Sequence, residues 1–248
     1  MRTPVVYTMG KVASSAITKA IRSRGRVVHD IHTLNEEALK REALRALEKG
    51  IFPNPHICVS MAWKARDITV PQRCVYISLV RDPVARNISA YFQNREHYID
   101  SLEKGEDTEA EALFEHFVET YPHTLPLRWY DREYKKHLGI DVFEGRFRHE
   151  KGFQLSHNNR VVIFRVDTPD DLKSQVLSNV LDFDVVVERA NDSSNKDYKD
   201  DYRTVQSLAR FTPEMIDPIY TSVFTRHFWS AEDIEAMRAR WLKPLSQI

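Results

Sequence analysis

The chain has 248 residues and a formal net charge of zero at pH 7, because its 36 basic residues balance its 36 acidic ones. This balance gives no global field that would draw the protein to nucleic acid or to an acidic membrane surface, so any anion-binding site must be local. The hydrophobic content of 42% is ample for the core of one large α/β domain.

Neither the cysteines nor the apolar segments indicate export or membrane insertion. Cys58 and Cys74 stand in apolar runs, and their spacing fits neither a disulfide framework nor a zinc site. No apolar stretch approaches the roughly 18 to 20 residues that a membrane span needs, and the first predicted strand begins within a few residues of Met1. We therefore expect a soluble cytoplasmic protein with buried thiols; the sequence does not indicate its oligomeric state.

The first 80 residues alternate between strand and helix patterns. Short apolar runs rich in β-branched residues predict strands, and apolar residues at helical spacing predict the helices between them. The predicted strands are residues 5–9, 27–31, 56–61 and 74–80, and the predicted helices are residues 14–23 and 34–50. This order implies an α/β fold with right-handed crossovers and a doubly wound parallel sheet of four or five strands, flanked by helices, with ligands at the carboxyl ends of the strands.

Helix patterns dominate the second half of the chain. The predicted helices are residues 84–97, 109–120, 125–137, 168–181, 202–210, 213–224 and 231–241, and a fifth strand is predicted at residues 160–166. Residues 188–203 are densely charged and read as a solvated loop, whereas Trp129 and Tyr130 are interpreted as core. We predict one domain over residues 1–248, with its core at residues 4–95 and 160–182 and helical additions at residues 96–159 and 199–248.

The segment VVYTMGKVASSAITKAI, residues 5–21, is typical of a strand, a turn and the start of a helix. Such a turn presents free backbone N–H groups and the positive end of the helix dipole, which together favour a phosphate or sulfate. Lys11 adds a positive charge, although a lysine at such a turn is also compatible with a solvated side chain. The spacing is not that of a Walker loop, because Gly10-Lys11 comes too early and no second glycine follows.

A second phosphate signal is VYISLVRDPVARNISAYF, residues 75–92. Here a predicted strand ends at Arg81, Asp82-Pro83 starts a helix, and Ser89 follows on the second turn. An arginine offers a planar, always charged donor fork that suits phosphate oxygens, and a hydroxyl on the adjoining helix completes a cradle. The alternative is that Arg81 pairs with Asp82 or with another carboxylate.

Together the two motifs resemble those of the 3′-phosphoadenosine 5′-phosphosulfate (PAPS)-dependent sulfotransferases. MGKVASSAI is similar to that family's 5′-phosphosulfate loop, and RDPVARNISAYF is similar to its 3′-phosphate motif. The resemblance is clearest over residues 4–95. Further on, RWYDREYKKHLGIDVF and NKDYKDDY are similar to segments of bacterial capsular-polysaccharide-type sulfotransferases.

The resemblance implies a P-loop-like sheet and an enzyme that transfers a sulfuryl group from PAPS to a hydroxyl of a carbohydrate or small-molecule acceptor, leaving adenosine 3′,5′-bisphosphate (PAP) as product and using no metal. It assigns the 5′-phosphosulfate to Lys11, Val12, Ala13, Ser14, Ser15 and Ala16, and the 3′-phosphate to Arg81 and Ser89. Lys11 would also assist departure of the leaving group. The helical additions would form the acceptor side.

The transfer also needs a base for the acceptor's proton, most often a histidine or a carboxylate. Many members of the family carry this histidine at the end of the third strand, where this chain has CVSMAWK and offers no base. His32 follows the second predicted strand on the edge where ligands bind, whereas His56 begins the third predicted strand on the opposite edge. We favour His32 over His56; Asp30 and His29 are alternatives, and either of the favoured histidines can instead be structural.

Two further functions stay open from the sequence. A small-molecule kinase with an atypical phosphate loop is disfavoured by the missing Walker spacing and by the lack of a strand that ends in a magnesium-binding aspartate beside the loop. A non-catalytic nucleotide-binding homologue stays open because the expected base is missing. Magnesium-independent binding of PAP separates the kinase from the other two functions, and turnover of PAPS separates the enzyme from the binding protein.

Overall fold

A computed structural model describes residues 2–65, 73–93, 110–188 and 211–242. The described residues form two compact units. The first takes its residues from Met1–Val80 and Trp129–Ala190, and the second from Arg81–Arg128 and Asn191–Ile248. The organisation of the chain as one domain stays a prediction.

The first unit contains a five-stranded, mostly parallel sheet. Its strands are β1 (Thr3–Tyr7), β2 (His29–Ile31), β3 (Cys74–Val80), β4 (Phe153–Ser156) and β5 (Val161–Arg165), in the order β2-β1-β3-β5-β4. Among the strand pairs of the described residues, only β4–β5 is antiparallel. Every residue of β3 is buried, as expected of an apolar, β-branched strand in the middle of a parallel sheet. The prediction of an α/β fold is confirmed.

The sheet has a topological switch point between β1 and β3. The chain passes from β1 to β2 on one side of β1, whereas β3 lies on its other side. Both neighbours are parallel to β1, so the carboxyl ends of all three strands lie at the same edge. In open α/β sheets ligands bind outside the carboxyl ends of the strands at such a point. The predicted phosphosulfate loop leaves β1 at this edge.

The described α-helices are distributed over both units. In chain order they are α1 (Ser15–Arg22), α2 (Glu36–Glu48), α3 (Pro55–Ala65), α4 (Pro83–Gln93), α5 (Ala110–Thr120), α6 (Asp170–Leu181), α7 (Pro213–Tyr220), α8 (Val223–Phe228) and α9 (Ala231–Trp241). Shorter 3₁₀ turns span Pro126–Arg128 and Val142–Glu144, and a π-helix spans Asp131–Leu138. No helix of the described ranges is long and apolar enough to cross a membrane.

The predicted strand at residues 56–61 is wrong, because these residues lie in α3. Ile57, Ser60 and Trp63 are the buried residues of this helix, and they recur every three positions. A short apolar run does not distinguish a buried strand from a buried helix, since both place every second or third residue inside. Pro55 at the first helical position favours the helix, because its fixed φ suits a helix start.

Two other differences concern the second half of the chain. The strand β4 was not predicted, and the predicted helix at residues 125–137 is divided between a 3₁₀ turn and the π-helix. Trp129 and Tyr130 are 7% and 1% exposed, which confirms them as core. The predicted helix at residues 202–210 and most of the charged segment at residues 188–203, including NKDYKDDY, lie outside the described residues.

The second unit packs its helices around a cluster of aromatic and aliphatic side chains from α4, α5, α7 and α9. Tyr91 and Phe92 of α4, Phe117 of α5 and Trp241 of α9 are at most 1% exposed. Rings meet edge to face within this cluster, as in the Tyr91–Phe117 pair with centroids 5.2 Å apart. Such contacts add to the energy of apolar burial, so this unit has a core of its own.

Candidate functional site

The loop between β1 and α1 has a strained backbone. Lys11 and Ala13 have φ angles of 73° and 59°, a left-handed conformation that is costly for residues with a Cβ atom. Ser14, the next residue, is right-handed, with φ −67° and ψ −20°. Alternation of hand turns successive N–H groups towards one point and produces an anion-binding concavity. The backbone therefore forms an anion cradle with only one glycine.

The start of α1 adds to this cradle. The Ser14 side chain makes no capping hydrogen bond to the helix, and no acidic residue stands in the first turn. Free N–H groups and the positive end of the helix dipole consequently face the loop. Val12, by contrast, is fully buried, so its side chain belongs to the core.

A cleft of about 310 Å³ opens beside this loop in the first unit. Its walls come from the loop and α1, from the ends of β3 and β5, and from α6. The residues that line it are Ala13, Ser15, Ala16, Ile17, Leu79, Val166, Asp167, Asp170, Lys173 and Val187. This volume is at the lower end of the range found for small-molecule sites, and three of the lining residues were predicted to bind the phosphosulfate.

The charged side chains of the cleft are paired with one another or with neighbours. The Nζ atom of the buried Lys173 lies 3.0 Å from Asp170 Oδ1 and donates to the carbonyl oxygen of Val166 at 3.0 Å. Asp167 pairs with Arg165 at 3.1 Å. The charges of these two pairs cancel, so the cleft itself attracts an anion mainly through the loop and the helix start. Lys173 was not predicted as a cleft residue, although Asp170 and Lys173 have the i,i+3 spacing of a helical ion pair.

The second predicted phosphate motif lies in the second unit. Arg81 directly follows β3, and Ser89 is a partly buried residue of α4. Asp82 stands before α4 and accepts three hydrogen bonds, from Val84 N at 3.0 Å, from Tyr220 Oη at 2.9 Å and from Trp241 Nε1 at 2.9 Å. Burial raises the pKa of the Asp82 carboxyl, while the hydrogen bonds from Trp241 and Tyr220 oppose the rise. Asp82 therefore fixes the start of the helix that follows Arg81.

His32 is held at the carboxyl edge of the sheet by its ring and its backbone. Its Nδ1 atom lies 2.8 Å from the carbonyl oxygen of Thr8, and its own carbonyl oxygen accepts a hydrogen bond from Trp129 Nε1 at 3.3 Å. A carbonyl oxygen only accepts hydrogen bonds, so Nδ1 must carry the proton. In the neutral ring the lone pair is then on Nε2, the arrangement of a general base whose other nitrogen is fixed by an acceptor.

His56 is a neighbour of His32, which corrects the prediction that it lies on the opposite edge of the sheet. The two ring centroids are 4.8 Å apart, because His56 belongs to the helix α3 and not to a strand. Burial lowers the pKa of His56 and the nearby His32 lowers it further, while Asp30 and Glu42 act in the opposite direction.

His29 and Asp30 are less well placed than His32 to act as the base. His29 packs edge to face on Trp63, with centroids 5.2 Å apart, and burial lowers its pKa. The Oδ1 atom of Asp30 is buried and has no hydrogen-bond partner. Among the described residues, no group of three or more histidine, cysteine, aspartate or glutamate side chains is arranged to hold a metal ion.

Glu133 was not singled out from the sequence. It lies on the π-helix, is only 5% exposed, and accepts hydrogen bonds from Tyr7, Thr33 and Leu34. Its partners are about a hundred or more residues away along the chain, at separations of 126, 100 and 99, so no local pattern identifies it. The sequence feature that could have indicated Glu133 is a carboxylate among aromatic residues, in the segment RWYDREYKKH.

Comparison with models of protein families gives a match to part of the chain. Residues 110–230 match the model of the NKWYS family, described as "Putative capsular polysaccharide synthesis protein". Comparison with curated proteins found no match, and neither did comparison with solved structures. The matched range includes the π-helix, β4, β5 and α6 and ends beyond α8. The comparison thus supports a relation to a capsular polysaccharide-related family.

Proposed function

We propose that this protein is a sulfotransferase that moves a sulfuryl group from PAPS to a hydroxyl of a carbohydrate acceptor. The observation that carries the proposal is the strained loop after β1, where Lys11 and Ala13 have positive φ angles directly before a helix without a side-chain cap. Such conformations are costly for non-glycine residues and cluster at functional sites. This loop coincides with the motif that resembles a phosphosulfate loop.

The residues of the loop suit the donor. When bound, the donor supplies a sulfuryl group attached through an oxygen atom to a 5′-phosphate. Backbone N–H groups from Val12 to Ala16 bind this phosphate, and the Lys11 ammonium stabilises the negative charge that develops on the bridging oxygen. Arg81 and Ser89 are assigned to the 3′-phosphate by resemblance, and the hydrogen bonds to Asp82 support an ordered start of α4.

His32 is the base in this proposal. Its Nε2 atom accepts the proton of the acceptor hydroxyl, because Nδ1 donates to Thr8 and cannot accept. Thr8 is the first residue after β1, only three positions before Lys11, so the base and the loop share one edge of the first unit. His56 is then a neighbour of the base, with ring centroids 4.8 Å apart, rather than the base itself.

The carbohydrate acceptor is supported by the match to a capsular polysaccharide-related family over residues 110–230. This range supplies α6, whose Asp170 and Lys173 line the cleft. A glycan hydroxyl is a weak nucleophile at neutral pH, so its attack requires proton removal. The assignment of His32 as the base is therefore chemically consistent with a glycan as the acceptor.

Binding and turnover test the proposal in two steps. Calorimetric titration should show that PAP binds at least tenfold more tightly than adenosine 5′-monophosphate, without a requirement for magnesium. Incubation with ³⁵S-labelled PAPS and a panel of capsular glycans should then give labelled glycan, and Lys11→Ala should abolish the label. Magnesium-dependent binding of ATP in preference to PAP would overturn the proposal in favour of a kinase. Binding of PAP without any turnover above the Lys11→Ala level would favour the non-catalytic binding protein.

A further inference from the structure

We infer that Glu133 is a positioning residue that fixes the orientation and tautomer of His32 by joining the two backbone segments between which the His32 ring is held. The inference rests on the proposed function for its catalytic meaning, but the geometry and the spectroscopic test of the tautomer do not depend on it. Glu133 acts on the His32 ring through Tyr7, Thr33 and Leu34.

The carboxylate of Glu133 receives hydrogen bonds from both segments. Tyr7 Oη donates to Oε2 at 2.5 Å, Thr33 Oγ1 donates to Oε1 at 2.7 Å, and Leu34 N donates to Oε2 at 2.8 Å. Tyr7 immediately precedes Thr8, whose carbonyl oxygen accepts from the His32 ring. Thr33 and Leu34 immediately follow His32. One side chain therefore connects the acceptor side and the donor side of the His32–Thr8 hydrogen bond.

Burying this carboxylate is costly and needs all three donors. A carboxylate that is 5% exposed loses most of its hydration, a penalty that only well-made hydrogen bonds offset. Burial and the charge of Glu133 both raise the pKa of Tyr7, so its hydroxyl stays protonated and remains a donor. The Leu34 N–H is also a fixed donor. The arrangement consequently has one low-energy geometry, which is the property a positioning group requires.

The π-helix holds Glu133 in this place. π-helices are rare and concentrate at functional sites, and this one ends at Gly139, whose φ of 66° is left-handed. Two neighbours reinforce the same contacts. Trp129, just before the π-helix, donates to the His32 carbonyl oxygen at 3.3 Å, and Tyr134 Oη donates to the Tyr7 carbonyl oxygen at 2.9 Å. Residues 129–134 thus contact His32 itself and the two backbone segments that hold its ring.

Two substitutions of Glu133 separate positioning from charge. In Glu133→Gln, the amide oxygen can accept from Leu34 and Tyr7, while the amide nitrogen donates to Thr33, whose hydroxyl can turn to accept. All three contacts survive and the charge is lost. In Glu133→Ala all three are lost. Tyr130→Phe is the matched control, because it removes a buried hydrogen bond to Ser78 at 2.9 Å in the same aromatic cluster without altering a contact of His32.

The readout is the imidazole ¹⁵N spectrum of the whole protein, with the His32 signals assigned by their loss in His32→Gln. We expect a single neutral tautomer, protonated on Nδ1, in the wild type, in Glu133→Gln and in Tyr130→Phe. Glu133→Ala should give averaged ¹⁵N shifts, which indicate a mixture of tautomers. Should Glu133→Ala not fold, Thr33→Ala removes one contact of the three and should shift the average in the same direction. A single Nδ1-protonated tautomer in every folded variant overturns the inference.

Kinetics supply the second readout and keep the two hypotheses apart. With active protein, Glu133→Ala should lower kcat at least tenfold with the KM for PAPS unchanged, and Glu133→Gln should restore most of it. If the protein has no sulfotransferase activity but the tautomer shifts as expected, the proposed function fails and the positioning role stands. If activity is present and Glu133→Ala lowers kcat no more than Tyr130→Phe does, the positioning role fails alone.

Discussion

Replacement of Asp82 by alanine should destabilise the second unit more than the loss of a helix-capping residue alone would do. The Asp82 carboxylate connects three elements, since it accepts from Val84 N of α4, Tyr220 Oη of α7 and Trp241 Nε1 of α9. Tyr220 and Trp241 are 2% and 1% exposed, so water cannot replace the lost acceptor. Alanine also removes the side-chain cap of α4.

The magnitude follows from these contacts. Loss of an N-terminal cap costs about 0.5–2 kcal/mol, and each buried donor left without an acceptor costs about 1–3 kcal/mol. Part of this loss of stability is offset, because the substitution also removes the cost of burying the charged Asp82 carboxylate, a cost that raises its pKa. We expect a net loss of about 3 kcal/mol in the free energy of unfolding. Tyr220→Phe removes one donor but leaves the carboxylate paired, so it should cost about 1 kcal/mol.

Urea denaturation followed by tryptophan fluorescence measures this loss, because Trp229 and Trp241 are buried in this unit and contribute to the signal. Asp217→Ala is the matched control: Asp217 pairs with Arg238 at 2.7 Å in the same unit, but their side chains are 42% and 33% exposed. An exposed ion pair of this kind contributes little to the free energy of unfolding, because solvent screens it. If Asp82→Ala shifts the unfolding free energy no further than Asp217→Ala does, the hydrogen-bonded role of Asp82 is refuted.

Three further predictions concern the first unit. Lys11→Gly should stabilise the fold by about 1 kcal/mol in urea denaturation, because glycine adopts positive φ without strain. The same substitution should lower kcat about 10²–10³-fold. An unchanged free energy of unfolding would contradict backbone strain at position 11. His32→Gln should lower kcat about 10²–10⁴-fold with little effect on calorimetric PAP affinity, whereas an equal loss in His56→Gln would reverse their roles. Burial lowers the pKa of His56 below its ordinary 6.5, so the His56 imidazole binds a proton more readily in the unfolded state than in the folded one. The free energy of unfolding should therefore fall as the pH drops through 6.5. His56→Gln should reduce that fall, as measured by urea midpoints at about pH 7.5 and 5.5, on either side of the ordinary histidine pKa. The same pH dependence in wild type and His56→Gln would contradict this role of His56.

The elements that the sequence predicted well are those with purely local determinants. The strand at residues 74–80 was predicted with the bounds found for β3, because an uninterrupted apolar, β-branched run is typical of a central parallel strand. The bounds of α9 also agree. Its start is fixed by a capping box in which Ser230 Oγ accepts from Asp233 N at 3.1 Å and Asp233 Oδ2 accepts from Ser230 N at 3.3 Å.

The elements that were predicted wrongly depend on distant contacts. Residues 56–61 form part of α3, although their apolar pattern also fits a strand, because packing against β2 and α2 decides between the two. The error carried over to the site, since it placed His56 on the opposite edge from His32. The two rings in fact lie 4.8 Å apart. A histidine pair of this kind cannot be derived from spacing alone.

The same distinction applies to the candidate site. Lys11 and the residues around it could be predicted as a site because an anion cradle is built from consecutive backbone groups, which a short segment specifies by itself. Glu133 was missed because its role is defined by Tyr7 and Thr33, at 126 and 100 residues' separation. Sequence patterns therefore predict the part of a site that one loop forms, and a structure is needed for the part that several segments form together.

The backbone of the loop supplies the strongest physical argument for a function at this edge. A turn that served only to connect β1 to α1 would be most stable with glycine at positions 11 and 13, because glycine adopts positive φ without a steric penalty. The chain instead has Lys11 and Ala13 there, with φ angles of 73° and 59°. Stability is thus lost at the positions where a bound anion would restore it, which is the arrangement expected of a ligand-binding loop.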